Sequence, residues 1–178
     1  MIKPNARKAA KNIKMIVFDC DGVMTDGSVT YDENGIEYKT FNVKDGHGIV
    51  RMNKSGFITA IITARNNGTV LHRAKSLNIA EIHQGCRYKL PVFEELLKKY
   101  GLKYENAAYM GDDLPDICIL QKAGLACCPA DAAEEVLEIC GFISSKNGGR
   151  GAVRELCDFI LTEQGIKKEY IVSEGSAG

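Results

Sequence analysis

The feature that most limits how this chain can fold is a series of short apolar runs, each unbroken rather than alternating, each followed by helical spacing. "KMIVF" (14–18) comes first, then "FITAIITA" (57–64), "IAEIHQG" (79–85), "NAAYMG" (106–111), "GLACC" (124–128) and "GFIS" (141–144). A run that is apolar at every position fits a strand covered on both faces, as in a parallel sheet. Between and after these runs, 46–54, 69–77, 89–100, 114–123, 132–139 and 152–162 read as helices. Strands alternating with helices predict a doubly wound α/β fold with a mostly parallel, Rossmann-like sheet.

One segment breaks the rhythm. "SVTYDENGIEYKTFNV" (28–43) alternates β-branched and aromatic residues with polar ones around Glu33-Asn34-Gly35, the pattern of a β-hairpin. It follows the first strand directly, so it should project from the carboxyl edge of the sheet. Length and composition suit one domain: 178 residues, 45% of them hydrophobic, bury an adequate core. The expected division is an N-terminal extension over 1–13, the α/β domain over 14–164 and a C-terminal tail over 165–178, ending in a disordered "SEGSAG".

The 23 basic and 23 acidic residues cancel, which excludes the global field that draws a chain to nucleic acid or an anionic membrane. Any anion site must be local. Seven cysteines, an odd number without C-x-x-C spacing, several inside apolar stretches, favour a reducing compartment over a disulfide framework. The basic start "MIKPNARKAAKNIK" lacks the apolar core of a signal peptide, and no later run is long enough to span a bilayer. A cytoplasmic address is expected. Residues 1–13 read as a solvated helix or tail.

Chemistry gathers where apolar runs end. "MIVFDCDGVMTDG" drives the first strand into Asp19, Asp21 and Asp26, and "NAAYMGDDLPD" ends another strand in Asp112, Asp113 and Asp116. Ligands of open α/β sheets bind beyond the carboxyl strand ends, near the point where strand order reverses. If these two strands are neighbours, the carboxylates of Asp19, Asp21, Asp112 and Asp113 converge and repel, and burial raises the cost. A hard divalent cation resolves the conflict, and Mg²⁺ suits one or two carboxylates with water and a phosphate oxygen. Capping of the helices that follow is the simpler account of any single aspartate, but a poor account of two clusters at two strand ends. Asp19 and Asp21 share one side of an extended chain and Cys20 faces the other, which makes Cys20 a packing residue.

These motifs carry a resemblance. "DCDGVMTDG" resembles the D-x-D-x-T/V signature of the haloacid dehalogenase superfamily, and the other signatures follow in order: Thr63 ending "AIIT", Lys89 at the head of a helix, and "GDDLPD". The resemblance implies that Asp19 attacks phosphorus to form an aspartyl-phosphate and that Asp21 protonates the leaving alcohol, then deprotonates water. It implies that Thr63 hydrogen-bonds the transferring phosphoryl group, that Lys89 offsets the charge between nucleophile and phosphate, and that Mg²⁺ is held by Asp19, the Asp21 main-chain carbonyl and Asp112. For Asp113 and Asp116 three roles stay open: contact with the metal through water, a hold on Lys89, or capping of the helix that begins at Leu114.

Many members of this superfamily carry a cap domain. Here the hairpin stands in the first cap position, and about 25 residues between Thr63 and Lys89 leave room for a helix and a strand only. The hairpin with "FNVKDGHG", the "ITAR" stretch and "GGRGAVREL" are similar to one capless family, the phosphatases of 3-deoxy-D-manno-octulosonate 8-phosphate, which act in lipopolysaccharide inner-core synthesis. The likeness implies a homotetramer assembled through the hairpins, sites completed by neighbouring subunits, and a tail closing over them. It implies Arg65 and Arg150, and with them Arg73, as ligands of the sugar-acid carboxylate, which guanidinium pairs in bidentate fashion. Related phosphatases of nine-carbon sugar-acid 9-phosphates tend to carry glutamate where this chain has Arg65. A catalytically silent oligomerisation domain is the alternative of another class, and the presence of both Asp19 and Asp21 speaks against it.

Overall fold

The computed structural model describes residues 1–166. Six strands form one parallel sheet: β1 (Met15–Phe18), β4 (Ile58–Ile62), β5 (Glu81–His83), β6 (Ala107–Met110), β7 (Leu125–Cys128) and β8 (Phe142–Ile143). Their order is β5-β4-β1-β6-β7-β8. From β1 the chain winds outward through β4 to β5, then returns to β6 on the other side of β1, so order reverses between β1 and β6. Those two strands pair in parallel with Phe18 opposite Met110, which brings both acidic clusters to one sheet edge.

Every residue of β1 and β6 is buried. Alternation shares them between two cores: Ile16 and Phe18 pack on one face, Met15 and Val17 on the other. Helices α2 (Val43–Lys54), α3 (Gly68–Ser76) and α7 (Ala152–Glu163) cover the first face; α4 (Lys89–Lys99), α5 (Ile117–Leu120) and α6 (Glu134–Ile139) cover the second. The fold is the doubly wound α/β sheet expected, with no cap domain among the described residues. The projecting hairpin is present as β2 (Thr30–Tyr31) and β3 (Glu37–Tyr38), with Thr30 opposite Tyr38. Asp32 holds its turn, accepting hydrogen bonds from the Asn34 and Ile36 amides.

Two elements differ from expectation. Residues 1–13 are part of the core rather than a solvated extension: Pro4 opens a helix, α1 (Pro4–Ala10). Ala6, Ala10 and Ile13 are buried, and Ile2 bridges to Phe142. Alanines four apart make a thin stripe that lets α1 lie close against its neighbours, while Arg7, Lys8 and Lys11 stay on the outside. The second is 114–123, read as one helix, which begins as a 3-10 turn (Leu114–Asp116) and continues only as the short α5. Pro115 and the capping Asp113 tighten that first turn. Downstream, Gly124 lies where a Cβ would come within 2.6 Å of the Glu105 backbone.

Five of the seven free cysteines are buried, Cys20 among them, in keeping with packing roles. Among the described residues no helix is long and apolar enough to cross a membrane.

Candidate active site

β1 ends at the sheet edge and presents Asp19, 7% exposed, whose amide donates to the Met110 carbonyl. The chain then turns sharply at Gly22, with φ +79°, and a Cβ there would lie 2.0 Å from Asp112 Oδ2. Glycine at this position meets both the left-handed backbone and the close approach of the second cluster. Asp19 and Asp112 therefore face each other across the β1–β6 junction.

Lys89, at the first position of α4, is buried with its Nζ 2.9 Å from Asp19 Oδ1 and 2.7 Å from Asp116 Oδ1. Asp116 is 1% exposed. It also accepts from the Tyr109 hydroxyl at 2.6 Å and from the Asp112 and Asp113 amides. Of the roles left open by the sequence, geometry gives Asp116 the hold on Lys89 and Asp113 the cap, through a 2.8 Å bond from the Leu114 amide. Buried Tyr109 is a site neighbour that its place in an apolar strand gave no reason to single out.

Electrostatics mark the same place. Burial, then the charge of Asp116, pushes the Asp19 carboxyl up to about 6 against the partial relief of Lys89. Burial, then Asp19, Asp116 and Asp113, pushes Asp112 up to about 8. For Lys89 burial opposes the charge, yet Asp19 and Asp116 hold it above the ordinary lysine range. One lysine thus does not balance three carboxylates. Oxygens of Asp19, Asp112 and Asp116 lie within 4.8 Å of one another, but both Asp116 oxygens are already taken by hydrogen bonds. Asp19 and Asp112 are the pair that a hard cation fits, because it would offset the repulsion that raises them.

Thr63 follows β4, is 2% exposed, and its amide donates to the His83 carbonyl. With Asp19, Asp21, Ala64, Lys89 and Asp112 it lines a cavity of 260 Å³. Arg65 lines it too, with Nη2 2.7 Å from Glu37 and 3.1 Å from the Tyr31 hydroxyl, both on the hairpin. Arg73 and Arg150 are outside the lining. Arg150 pairs with Asp26 at 2.7 Å, while Arg73 donates to the Asn42 carbonyl at 3.3 Å and lies over the Phe41 ring.

Asp21 is bonded by Lys39, a residue the sequence reading passed over. Lys39 follows β3 and its side chain is 1% exposed, with Nζ also 2.9 Å from Glu37 Oε1. The signal was present: Glu37 and Lys39 sit two apart, hence on one face of a strand that leaves the acidic turn.

The matches with known proteins agree with this geometry. Residues 74–156 match the model of a family of haloacid dehalogenase-like hydrolases. The 3-deoxy-D-manno-octulosonate 8-phosphate phosphatase of Salmonella typhimurium is 41% identical over 164 residues, covering 92% of this chain and 87% of that protein. Among solved structures, the phosphatase of the same substrate from Moraxella catarrhalis, in complex with magnesium ion, phosphate ion and KDO, superposes with a TM-score of 0.88 at 41% identity. The match covers 90% of this chain and 92% of that one. The cobalt-bound deoxy-D-mannose-octulosonate 8-phosphate phosphatase from Haemophilus influenzae gives 0.85 at 35% identity, covering 88% and 92%. The chain belongs to the 3-deoxy-D-manno-octulosonate 8-phosphate phosphatase family of haloacid dehalogenase-like hydrolases.

Proposed function

We propose that this chain is a magnesium-dependent phosphomonoester hydrolase that converts 3-deoxy-D-manno-octulosonate 8-phosphate to the free sugar acid and phosphate, in lipopolysaccharide inner-core synthesis. The observation that carries it is the Asp19 carboxylate, pinned by Lys89 at 2.9 Å beside Asp112 on the floor of a cavity that Arg65 enters. The relatives act on this sugar-acid phosphate by name, and one holds magnesium, phosphate and KDO together.

In the first step an Asp19 oxygen forms a bond to phosphorus as the bond to the sugar oxygen breaks. The electron pair leaves with that oxygen, and Asp21 supplies its proton. In the second, Asp21 takes a proton from water, the water oxygen bonds to phosphorus, and the Asp19–phosphorus bond breaks. Thr63 and Lys89 hold the transferring group, and fixed donors matter because such reactions depend on positioning and charge stabilisation. Asp19, the Asp21 carbonyl and Asp112 would hold Mg²⁺, which supplies charge neutralisation between nucleophile and phosphate.

Arg65 on the cavity wall and Arg150 anchored on Asp26 serve the sugar-acid carboxylate; Arg73, packed under Gly46 and Phe41 and turned toward Asn42, is left out of that role. The proposed assembly is a homotetramer. Its contact surface is the hairpin, where Val29, Tyr31, Ile36 and Tyr38 are all at least half exposed, an apolar face that a lone two-stranded hairpin leaves uncovered. Tail closure over the site falls largely on 167–178, outside the described residues. Phosphate release from the 8-phosphate should require Mg²⁺ and stop in excess EDTA; undiminished release in EDTA would overturn the metal.

A further inference from the structure

Asp21 lies on the turn after β1 with its side chain 27% exposed, where a carboxylate has rotamers to choose from. An acid that must deliver its proton to one oxygen needs its orientation held within fractions of an ångström. The groups that hold Asp19 do not reach Asp21: Lys89 is committed to Asp19 and Asp116. What does reach it comes from the hairpin. The Lys39 ammonium donates to Asp21 Oδ1 and lies 2.9 Å from Glu37 Oε1, while the other Glu37 oxygen accepts from Arg65 at 2.7 Å. An ammonium whose side chain is 1% exposed is an unusual use of lysine, since burying a charge is costly unless paired. A hairpin that needed only to stand up would leave that cation in solvent.

We infer that Lys39 is a positioning residue for Asp21, its ammonium clamped between Asp21 Oδ1 and Glu37 so that the carboxyl group, whose other oxygen serves the leaving alcohol, is oriented by the hairpin. The inference rests on the function proposed above. It is compatible with the metal assignment, which uses the Asp21 main-chain carbonyl and leaves the carboxylate to Lys39. Lys39 moves no proton and touches no reacting atom. Through Glu37 the clamp also links the two side chains to which the proposed function gives the ester oxygen and the sugar-acid carboxylate, Asp21 and Arg65.

The test compares leaving groups under single-turnover conditions, full-length enzyme in excess over substrate with Mg²⁺ present. An alkyl phosphate needs its leaving oxygen protonated; 4-nitrophenyl phosphate does not. Lys39→Met should slow cleavage of the alkyl ester roughly 10- to 100-fold, within the range ascribed to general acid catalysis. It should leave release of 4-nitrophenolate within about threefold, because that step depends on Asp19 and not on Asp21. Lys39→Arg should recover much of the alkyl rate. Equal losses on both esters in a variant with wild-type thermal unfolding, or no loss on either, would overturn the assignment. If Lys39→Met does not fold, Lys39→Gln carries the same comparison. The alkyl ester is 3-deoxy-D-manno-octulosonate 8-phosphate where wild type turns it over and glycerol phosphate otherwise, so failure of the substrate reading is seen in wild type and is distinguishable from failure of this one.

Discussion

Asp116 accepts hydrogen bonds from Lys89, Tyr109 and two main-chain amides while almost wholly buried. Replacing it with alanine strands the Lys89 charge, and breaking a buried ion pair from one side costs about 3–5 kcal/mol. Asp116→Ala should lower stability by about that amount in urea unfolding and reduce turnover as well, since Lys89 loses one of its two anchors. Asp19→Asn keeps shape but removes the nucleophile, so turnover should fall at least about 10³-fold with the circular dichroism spectrum unchanged; an active variant would end the covalent mechanism. Burial and neighbouring charge push the Asp19 and Asp112 carboxyls up to about 6 and about 8 from an ordinary 3.8. A carboxyl raised by folding contributes stability below its unfolded value and loses it as pH climbs through its folded value. Without metal, the protein should therefore lose stability from about pH 4 to about pH 8 on account of these groups. Mg²⁺ binds their ionised forms, so its upward shift of Tm should be larger at about pH 8 than at about pH 5; equal shifts would contradict the pairing of Asp19 with Asp112.

At the scale of elements, the turn at 148–151 shows what a sequence pattern conceals. "GGRG" reads as a loop with an arginine in it, yet a Cβ on Gly148 would sit 1.7 Å from the Gly22 carbonyl oxygen, and one on Gly149 2.5 Å from the Thr25 backbone. The glycines let this turn lie on the loop that follows Asp19. Asp45 of α2 fixes it from below, accepting from the Gly151 and Arg154 amides and so capping α7 from another helix. Gly148→Ala should cost at least about 1–3 kcal/mol by overpacking, read as a lower Tm, and should impair turnover by displacing the loop between Asp21 and Gly27. Strands, helices and the acidic ends of two strands were legible because unbroken apolar runs bounded by turns admit few readings, while the pairing of those two strands came from the structure. The Asp45 cap, the Lys39 clamp and the packing of α1 were not, because each depends on contacts between segments far apart in the chain. Local spacing carries no record of such contacts: Asp45 reads only as the residue before a helix over 46–54 until α7 is laid across it.

For the whole molecule, the site is an open cavity at one sheet edge, with the hairpin beside it presenting aromatic and aliphatic side chains outward. Apolar faces of this kind are covered by partners, most often copies related by closed symmetry. Light scattering should give a particle of four 19.5 kDa chains, and Tyr31→Glu with Tyr38→Glu should yield smaller species. A monomeric wild-type protein would remove the proposed shared site. The central claim is the substrate, and the most direct measurement is kcat/KM for phosphate release with Mg²⁺ from 3-deoxy-D-manno-octulosonate 8-phosphate beside 2-keto-3-deoxynononate 9-phosphate, because that ratio is what discriminates substrates. With arginine at 65 and 150, kcat/KM should favour the eight-carbon substrate by at least about tenfold. Preference for the nine-carbon ester, or slow and equal rates on both, would contradict it.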